Sequence, residues 1–162
     1  AQFLEQLNQM DRPITVIFYG DHLPGIYQTA VSNPDAQTTL YETDYFIWSN
    51  NATSSAGTRL PEENAAFTSS NFFVAELAEH MNARVSPYLA LLTQLHHAIA
   101  AIGPASLNDG TNPAYFNSQG QLLDYDLLSD EDRTLLHDYQ LIQYDMSVGK
   151  GYLRESAFTD IR

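Results

Sequence analysis

Pro13-Ile14-Thr15-Val16-Ile17-Phe18-Tyr19-Gly20-Asp21-His22-Leu23-Pro24 is the stretch that decides how this chain is read. Ile14 to Tyr19 form a near-continuous β-branched and aromatic run, the pattern of a strand buried on both faces and usually paired in a parallel sheet. Gly20 then lets the backbone turn, and Asp21 and His22 follow where such a strand ends and its loop begins. Ligands of α/β sheets collect at that edge. A carboxylate oxygen and an imidazole nitrogen are suitable donors for zinc, manganese or magnesium-like cations, so Asp21 and His22 are the candidate metal ligands. An Asp-His dipeptide on its own is equally the signature of a simple turn.

Upstream, AQFLEQLNQM reads as a helix with Phe3, Leu7 and Met10 on one face and Leu4 beside them, broken by Asp11-Arg12-Pro13. Helix, turn and buried strand together look like the second half of a βαβ unit whose first strand would precede residue 1, an Ala. Downstream, Tyr41-Glu42-Thr43-Asp44-Tyr45-Phe46-Ile47-Trp48-Ser49-Asn50 contains a second strand in its aromatic-aliphatic half. Between the two, Ile26 to Leu40 is expected to be a loop bordering the site. Residues 51–68 read as a surface loop, in which Asn51-Ala52-Thr53 matches a glycosylation triplet that arises often by chance.

The segment 69–162 is expected to be a mainly helical tail in one partial domain with residues 1–50. Ser70 is a candidate cap for a helix carrying Phe73, Leu77 and Met81 on one face. Ser86 before Pro87 starts another, whose stripe Leu91, Leu92, Leu95, Ile99 and Ile102 runs to Gly103-Pro104. Neighbouring His96 and His97 point about 100° apart on a helix and suit surface or core-edge packing better than one shared metal. His80 and His137 have no stronger case. Asp124, Asp126, Asp130, Glu131 and Asp132 fail calcium-loop spacing. Ser129 with Asp132 reads instead as a capping box for a helix through Leu135, Leu136, Tyr139, Ile142 and Met146 to Gly149.

Twenty acidic against seven basic side chains in 162 residues give a net charge of -13, a field that opposes binding to nucleic acid and anionic membrane surfaces. A hydrophobic content of 44% suits an ordinary core. No window approaches the roughly 18 consecutive apolar residues of a membrane span, so no insertion by this segment is expected. Without cysteine, disulfides and thiol chemistry are excluded.

The Gly-Asp-His strand resembles the metal-binding strand of the phosphoglycerol transferases and lipoteichoic acid synthases, members of the alkaline phosphatase and sulfatase superfamily. Tyr41 to Asn50 is similar to that family's next strand, with Asp44 where a proline is usual. Ser69-Ser70-Asn71-Phe72-Phe73, Ser86-Pro87-Tyr88 and Gln143-Tyr144-Asp145 with Gly149-Lys150 and Tyr152 resemble patterns in the tails of its bacterial members.

The resemblance implies an α/β fold, the carboxy-terminal part of an alkaline-phosphatase-like sheet domain followed by a helical tail. It also implies a metal-dependent enzyme (manganese, zinc or magnesium), anchored in the bacterial membrane by upstream segments. Its domain would face outward and act on a glycerophospholipid head group or another phosphate or sulfate ester. The family's threonine nucleophile lies earlier in the chain than the Asp-His pair. Only about twenty residues precede the pair here, and Thr15, inside the strand, suits packing or a local hydrogen bond. No catalytic residue is therefore expected in this segment, and alone it should be inactive. A strand cut from its neighbours also invites self-association. The alternative is a non-catalytic module that binds a partner, its Asp-His pair a turn.

Overall fold

The computed structural model describes residues 2–23 and 38–161. The chain divides into two compact units, Ala1–Thr58 and Arg59–Arg162, each described by itself. The break falls inside the stretch read as a surface loop.

In the first unit α1 (Gln2–Asn8) leads into β1 (Thr15–Tyr19), and β2 (Tyr45–Ser49) lies beside β1. The pairing is antiparallel, with Thr15 opposite Ser49, Ile17 opposite Ile47 and Tyr19 opposite Tyr45. This corrects the expectation of a parallel strand buried on both faces: Phe18 and Tyr19 are exposed, and no parallel pair occurs among the described residues. An unbroken apolar run carries no period-2 alternation, so it cannot report pairing direction. The antiparallel register is held by side chains. Phe18 stacks on Phe46 at 5.3 Å between ring centroids, and the Thr15 hydroxyl shares a 2.9 Å hydrogen bond with Ser49. Thr15 thus has the local hydrogen-bonding role its setting suggests. Ser49 passes the chain on to buried Ser55 at 2.8 Å.

Asn50, fully buried, ties this unit together. Its Nδ2 donates to the carbonyls of Leu7 (3.2 Å), Met10 (3.3 Å) and Arg12 (2.9 Å), and its Oδ1 accepts from Ile14 N (3.0 Å) and Thr53 Oγ1 (2.7 Å). A helix end leaves carbonyls without partners, and Asn50 supplies donors to that end of α1. The helical face is narrower than expected: Leu4 and Leu7 are half-buried, whereas Phe3 and Met10 are exposed, Met10 lying beyond the last turn of α1.

In the second unit a single helical turn, α2 (Glu62–Ala65), lies within the stretch read as loop. α3 (Phe73–His80), α4 (Pro87–Ala98) and α5 (Asp130–Ser147) follow, with a short antiparallel pair, β3 (Ala101–Gly103) and β4 (Ala114–Phe116), between α4 and α5. Phe72, Ala75, Leu92, Leu95, Ile99, Tyr115, Leu128, Leu136 and Tyr139 make the core.

Two predicted caps are in place. Ser86 Oγ accepts from Leu89 N, and Ser129 Oγ accepts from Asp132 N while donating to Asp132 Oδ2 at 2.7 Å. Such caps are each worth about 1 kcal/mol. Ser70 is not a cap: α3 begins at Phe73 after a turn at Phe72, with no side-chain cap. α4 ends at Ala98 rather than running to Gly103, because Ile99 is already extended and Ile102 belongs to β3. An apolar stripe continues across such a junction because helix and strand bury the same core.

Candidate metal centre at the end of the first strand

The turn after β1 is set by two backbone-level contacts. Gly20 N donates to Asp44 O at 3.1 Å, which extends the β1–β2 ladder by one rung, and Thr43 Oγ1 donates to Gly20 O at 2.8 Å. A Cβ on residue 20 would lie 2.9 Å from Thr43 Cβ, closer than real side chains pack. Only glycine lets the chain leave the strand so close to Thr43, and the next two residues are the candidate ligands.

Asp21 and His22 are brought together. Asp21 Oδ1 accepts from His22 N at 2.9 Å, and Asp21 Oδ2 lies 3.5 Å from His22 Nε2. His22 Nδ1 is 3.0 Å from the Leu23 carbonyl oxygen. In the tautomer in which Nδ1 donates there, Nε2 keeps its lone pair and faces the same side as the free carboxylate oxygen. A second hydrogen bond of this kind is what orients histidines that ligate metals. Both side chains are largely open to solvent, at 82% and 77% exposure. The pair therefore offers one hard oxygen and one nitrogen to a divalent cation, which fits half of a ligand set.

Among the described residues no third His, Cys, Asp or Glu joins them, and no other group of three could hold a metal ion. The loop expected to border the site, Ile26 to Leu40, lies outside the described residues as far as Gln37. Thr39–Tyr41 form a single 3-10 turn.

The other titratable clusters have structural roles. Of the acidic run, Asp124 accepts from Asp126 N, Asp130 pairs with Arg133 and Asp132 completes the cap of α5. His97 sits 3.1 Å from Glu79, and His137 is exposed. His80 and His96 are buried in the second unit, deeper than the core-edge position expected for His96, and burial lowers the pKa of each.

The tail patterns are also architectural. Ser69 Oγ accepts from Ile102 N at 2.9 Å, Asn71 Nδ2 donates to Tyr139 OH at 3.2 Å, and Phe72 is wholly buried. Tyr88 N donates to Phe158 O at 3.1 Å. Asp145 receives Gly151 N (2.9 Å) and Tyr152 N (3.1 Å) on Oδ1 and Leu153 N (3.0 Å) on Oδ2, which folds the chain back after α5. Those amides, led by Leu153, hold its carboxyl below the usual carboxylate range.

Sequence reasoning missed Thr43 as the residue that positions the turn, and Asn50 as the one that ties the end of α1 to the start of β1. Asparagine at a strand end reads as turn chemistry, and its five partners are spread over residues 7 to 53, beyond any local window.

Comparison with known proteins agrees with this architecture. The family model described as Sulfatase matches residues 1–83, which takes in the strand and its Asp-His pair. The chain belongs to the sulfatase family. The Streptococcus pyogenes phosphoglycerol transferase GacH, solved in complex with sn-glycerol-1-phosphate, superposes with a TM-score of 0.69 at 35% sequence identity, over 99% of this chain and 35% of GacH. The capsular polysaccharide biosynthesis protein RkpI of Rhizobium meliloti (strain 1021) is 44% identical over 46 residues, 28% of this chain and 8% of RkpI. The chain thus spans about a third of GacH, and the segment matched in RkpI is smaller still. The α/β fold with a helical tail, resembling the carboxy-terminal part of a phosphoglycerol transferase, stands on the GacH match.

Proposed function

We propose that this chain is the part of a metal-dependent phosphoglycerol transferase that supplies two ligands, Asp21 and His22, to a catalytic divalent cation. One observation carries the reading: a carboxylate oxygen and an imidazole nitrogen converge to 3.5 Å at the end of β1, on a turn that only glycine permits. Similarity to GacH, whose structure holds sn-glycerol-1-phosphate, supports a phosphoglycerol substrate, with a related phosphate or sulfate ester as the close variant.

The cation, manganese, zinc or magnesium, would supply Lewis-acid stabilisation of the phosphoryl oxygens and activation of a nucleophile. The protein's own part is orientation. Thr43 fixes the Gly20 carbonyl, the His22 amide fixes Asp21, and the Leu23 carbonyl fixes the His22 ring. The nucleophile belongs, on this reading, to residues beyond the present 162. Thr15 and Thr43 have their hydroxyls engaged with Ser49 and Gly20, and Thr53 with Asn50. The complete protein would be anchored in the bacterial membrane with this domain outside. No helix of the described residues is long and apolar enough to cross a membrane.

The test is phosphoglycerol transfer by the complete protein with manganese present, comparing Asp21→Ala and His22→Ala with the parent. Loss of a side chain that binds the cation directly should lower turnover at least about 100-fold. Turnover within a factor of two of the parent in both variants would contradict the assignment and leave the pair as an ordinary exposed turn of a binding module.

A further inference from the structure

A second site of unusual chemistry lies in the core between α3 and α4. His96 is 2% exposed and its side chain is sealed from solvent, yet neither ring nitrogen has a hydrogen-bond partner among the described residues. Its ring packs on Phe72 at 5.0 Å between centroids. Its Nε2 is 3.7 Å from Glu76 Oε1, beyond hydrogen-bonding distance, and that same oxygen accepts the Thr68 hydroxyl at 2.5 Å. Buried polar groups are normally satisfied, and a buried imidazole without a partner is held in place by packing alone.

The groups around it explain why it stays neutral. From α3 the charged or titratable side chains are Glu76 and, further along, Glu79 and His80. On its own helix His97 lies 6.3 Å away between rings, and Glu79 is engaged with His97. From α5 and β4 the titratable side chains in the shared core are Tyr139 and Tyr115, phenols that are neutral at and below physiological pH and whose pKa values burial raises further. In this setting a proton on His96 meets only Glu76 Oε1, at 3.7 Å and already accepting from Thr68, and desolvation, with a smaller contribution from His97, lowers the His96 pKa to about 4.

We infer that the Glu76–His96 contact is an acid-sensitive latch. With His96 neutral, α3 and α4 stay packed through Phe72, and a proton on His96 is accommodated only by opening that interface to water.

The sign follows from linkage. His96 takes up its proton near 6.5 in the unfolded chain and near 4 in the folded one, so the stability it contributes is present above about pH 6.5 and is lost as pH falls toward 4. Those two values alone make the folding equilibrium constant fall about 20-fold between pH 7 and pH 5. The other carboxylates and histidines add their own pH dependence, so the quantity to read is the difference between two proteins.

Urea unfolding of the chain, followed by far-ultraviolet circular dichroism at pH 7 and pH 5, should show the fall in folding constant steeper by about 20-fold in the parent than in His96→Phe. The same fall in both proteins would overturn the latch. Should the variant not fold, histidine ring resonances of the parent decide it alone. A His96 ring that stays neutral until the acid unfolding transition supports the latch. One that titrates in the folded protein near 6.5 or above means that Glu76 and His96 form an ordinary ion pair, and the inference fails.

Discussion

Thr43 Oγ1 donates a 2.8 Å hydrogen bond to the carbonyl oxygen of Gly20. This one contact joins the start of the second strand motif to the glycine that precedes the Asp-His pair. Two stretches that are separate in sequence thereby become one turn.

Replacing Gly20 by Ala should be costly for that reason. The added methyl would meet Thr43 Cβ at 2.9 Å, and forcing atoms into a packed contact costs about 1–3 kcal/mol. Thr43→Val keeps the shape, removes the hydrogen bond and should cost about 1 kcal/mol. Trp48 is the sole tryptophan and sits in β2, so urea unfolding followed by its fluorescence reports on this unit. Unchanged unfolding of Gly20→Ala would show that the turn has slack.

Asn50→Ala should be the most damaging substitution in the first unit. It removes five side-chain hydrogen bonds made from a position with no access to solvent: the Met10 and Arg12 carbonyls lose the Asn50 donor, while Ile14 N keeps only Thr53 Oγ1 at 3.2 Å and Leu7 O only Met10 N. Unsatisfied buried groups cost about 1–3 kcal/mol each, so a loss of about 2–4 kcal/mol or failure to fold is expected by the same fluorescence assay. Asn50→Asp should be little better, because a carboxylate cannot donate to the three carbonyls.

Asp44 stands where the resembling family usually has proline. Its backbone carbonyl accepts from Gly20 N, and a proline at 44 would keep that carbonyl. Asp44→Pro should therefore leave stability within about 1 kcal/mol of the parent. A larger loss would show that the amide or carboxylate at 44 matters in a way the ladder does not reveal.

Asp145 gathers three backbone amides after α5, and its carboxyl is more acidic than usual because of them. A depressed folded-state pKa gives stability that is present above the ordinary carboxylate value and lost as pH falls through the folded one. Hydrogen exchange at Gly151, Tyr152 and Leu153 should quicken in Asp145→Ala at neutral pH, relative to the amides of α5. Equal protection in both proteins would remove the clamp.

Much of this was legible in the residues. Helix starts announced themselves through Ser86-Pro87 and Ser129 with Asp132, since capping is local chemistry. The strand Thr15–Tyr19 was plain from its β-branched run, and Asp21 and His22 stand out as candidate ligands from their place at its end. Pairing direction was not legible, because Ile14 to Tyr19 show no alternation and the partner lies some thirty residues on. Ser70 failed as a cap because a turn at Phe72 delays α3, a choice made by burying Phe72 rather than by hydrogen bonding. The short pair β3–β4 escaped notice because three-residue strands leave no period. The buried Glu76–His96 contact joins residues 20 apart on two helices, and only their packing brings them together.

Strand edges also bear on the expected self-association. β1 and β2 pair only with each other among the described residues, and the stacked Phe18 and Phe46 are exposed at 60% and 41%. Light scattering across a wide concentration range should show concentration-dependent association. A strictly monomeric species throughout would contradict that expectation.

The claim on which the functional account rests is that Asp21 and His22 grip a divalent cation, and manganese titration followed by electron paramagnetic resonance measures it directly. The chain should bind manganese weakly, as befits two protein ligands, and both His22→Ala and Asp21→Ala should abolish that binding while keeping the Trp48 fluorescence of the folded protein. Binding that is the same in the parent and both variants, or absent from all three, would contradict it.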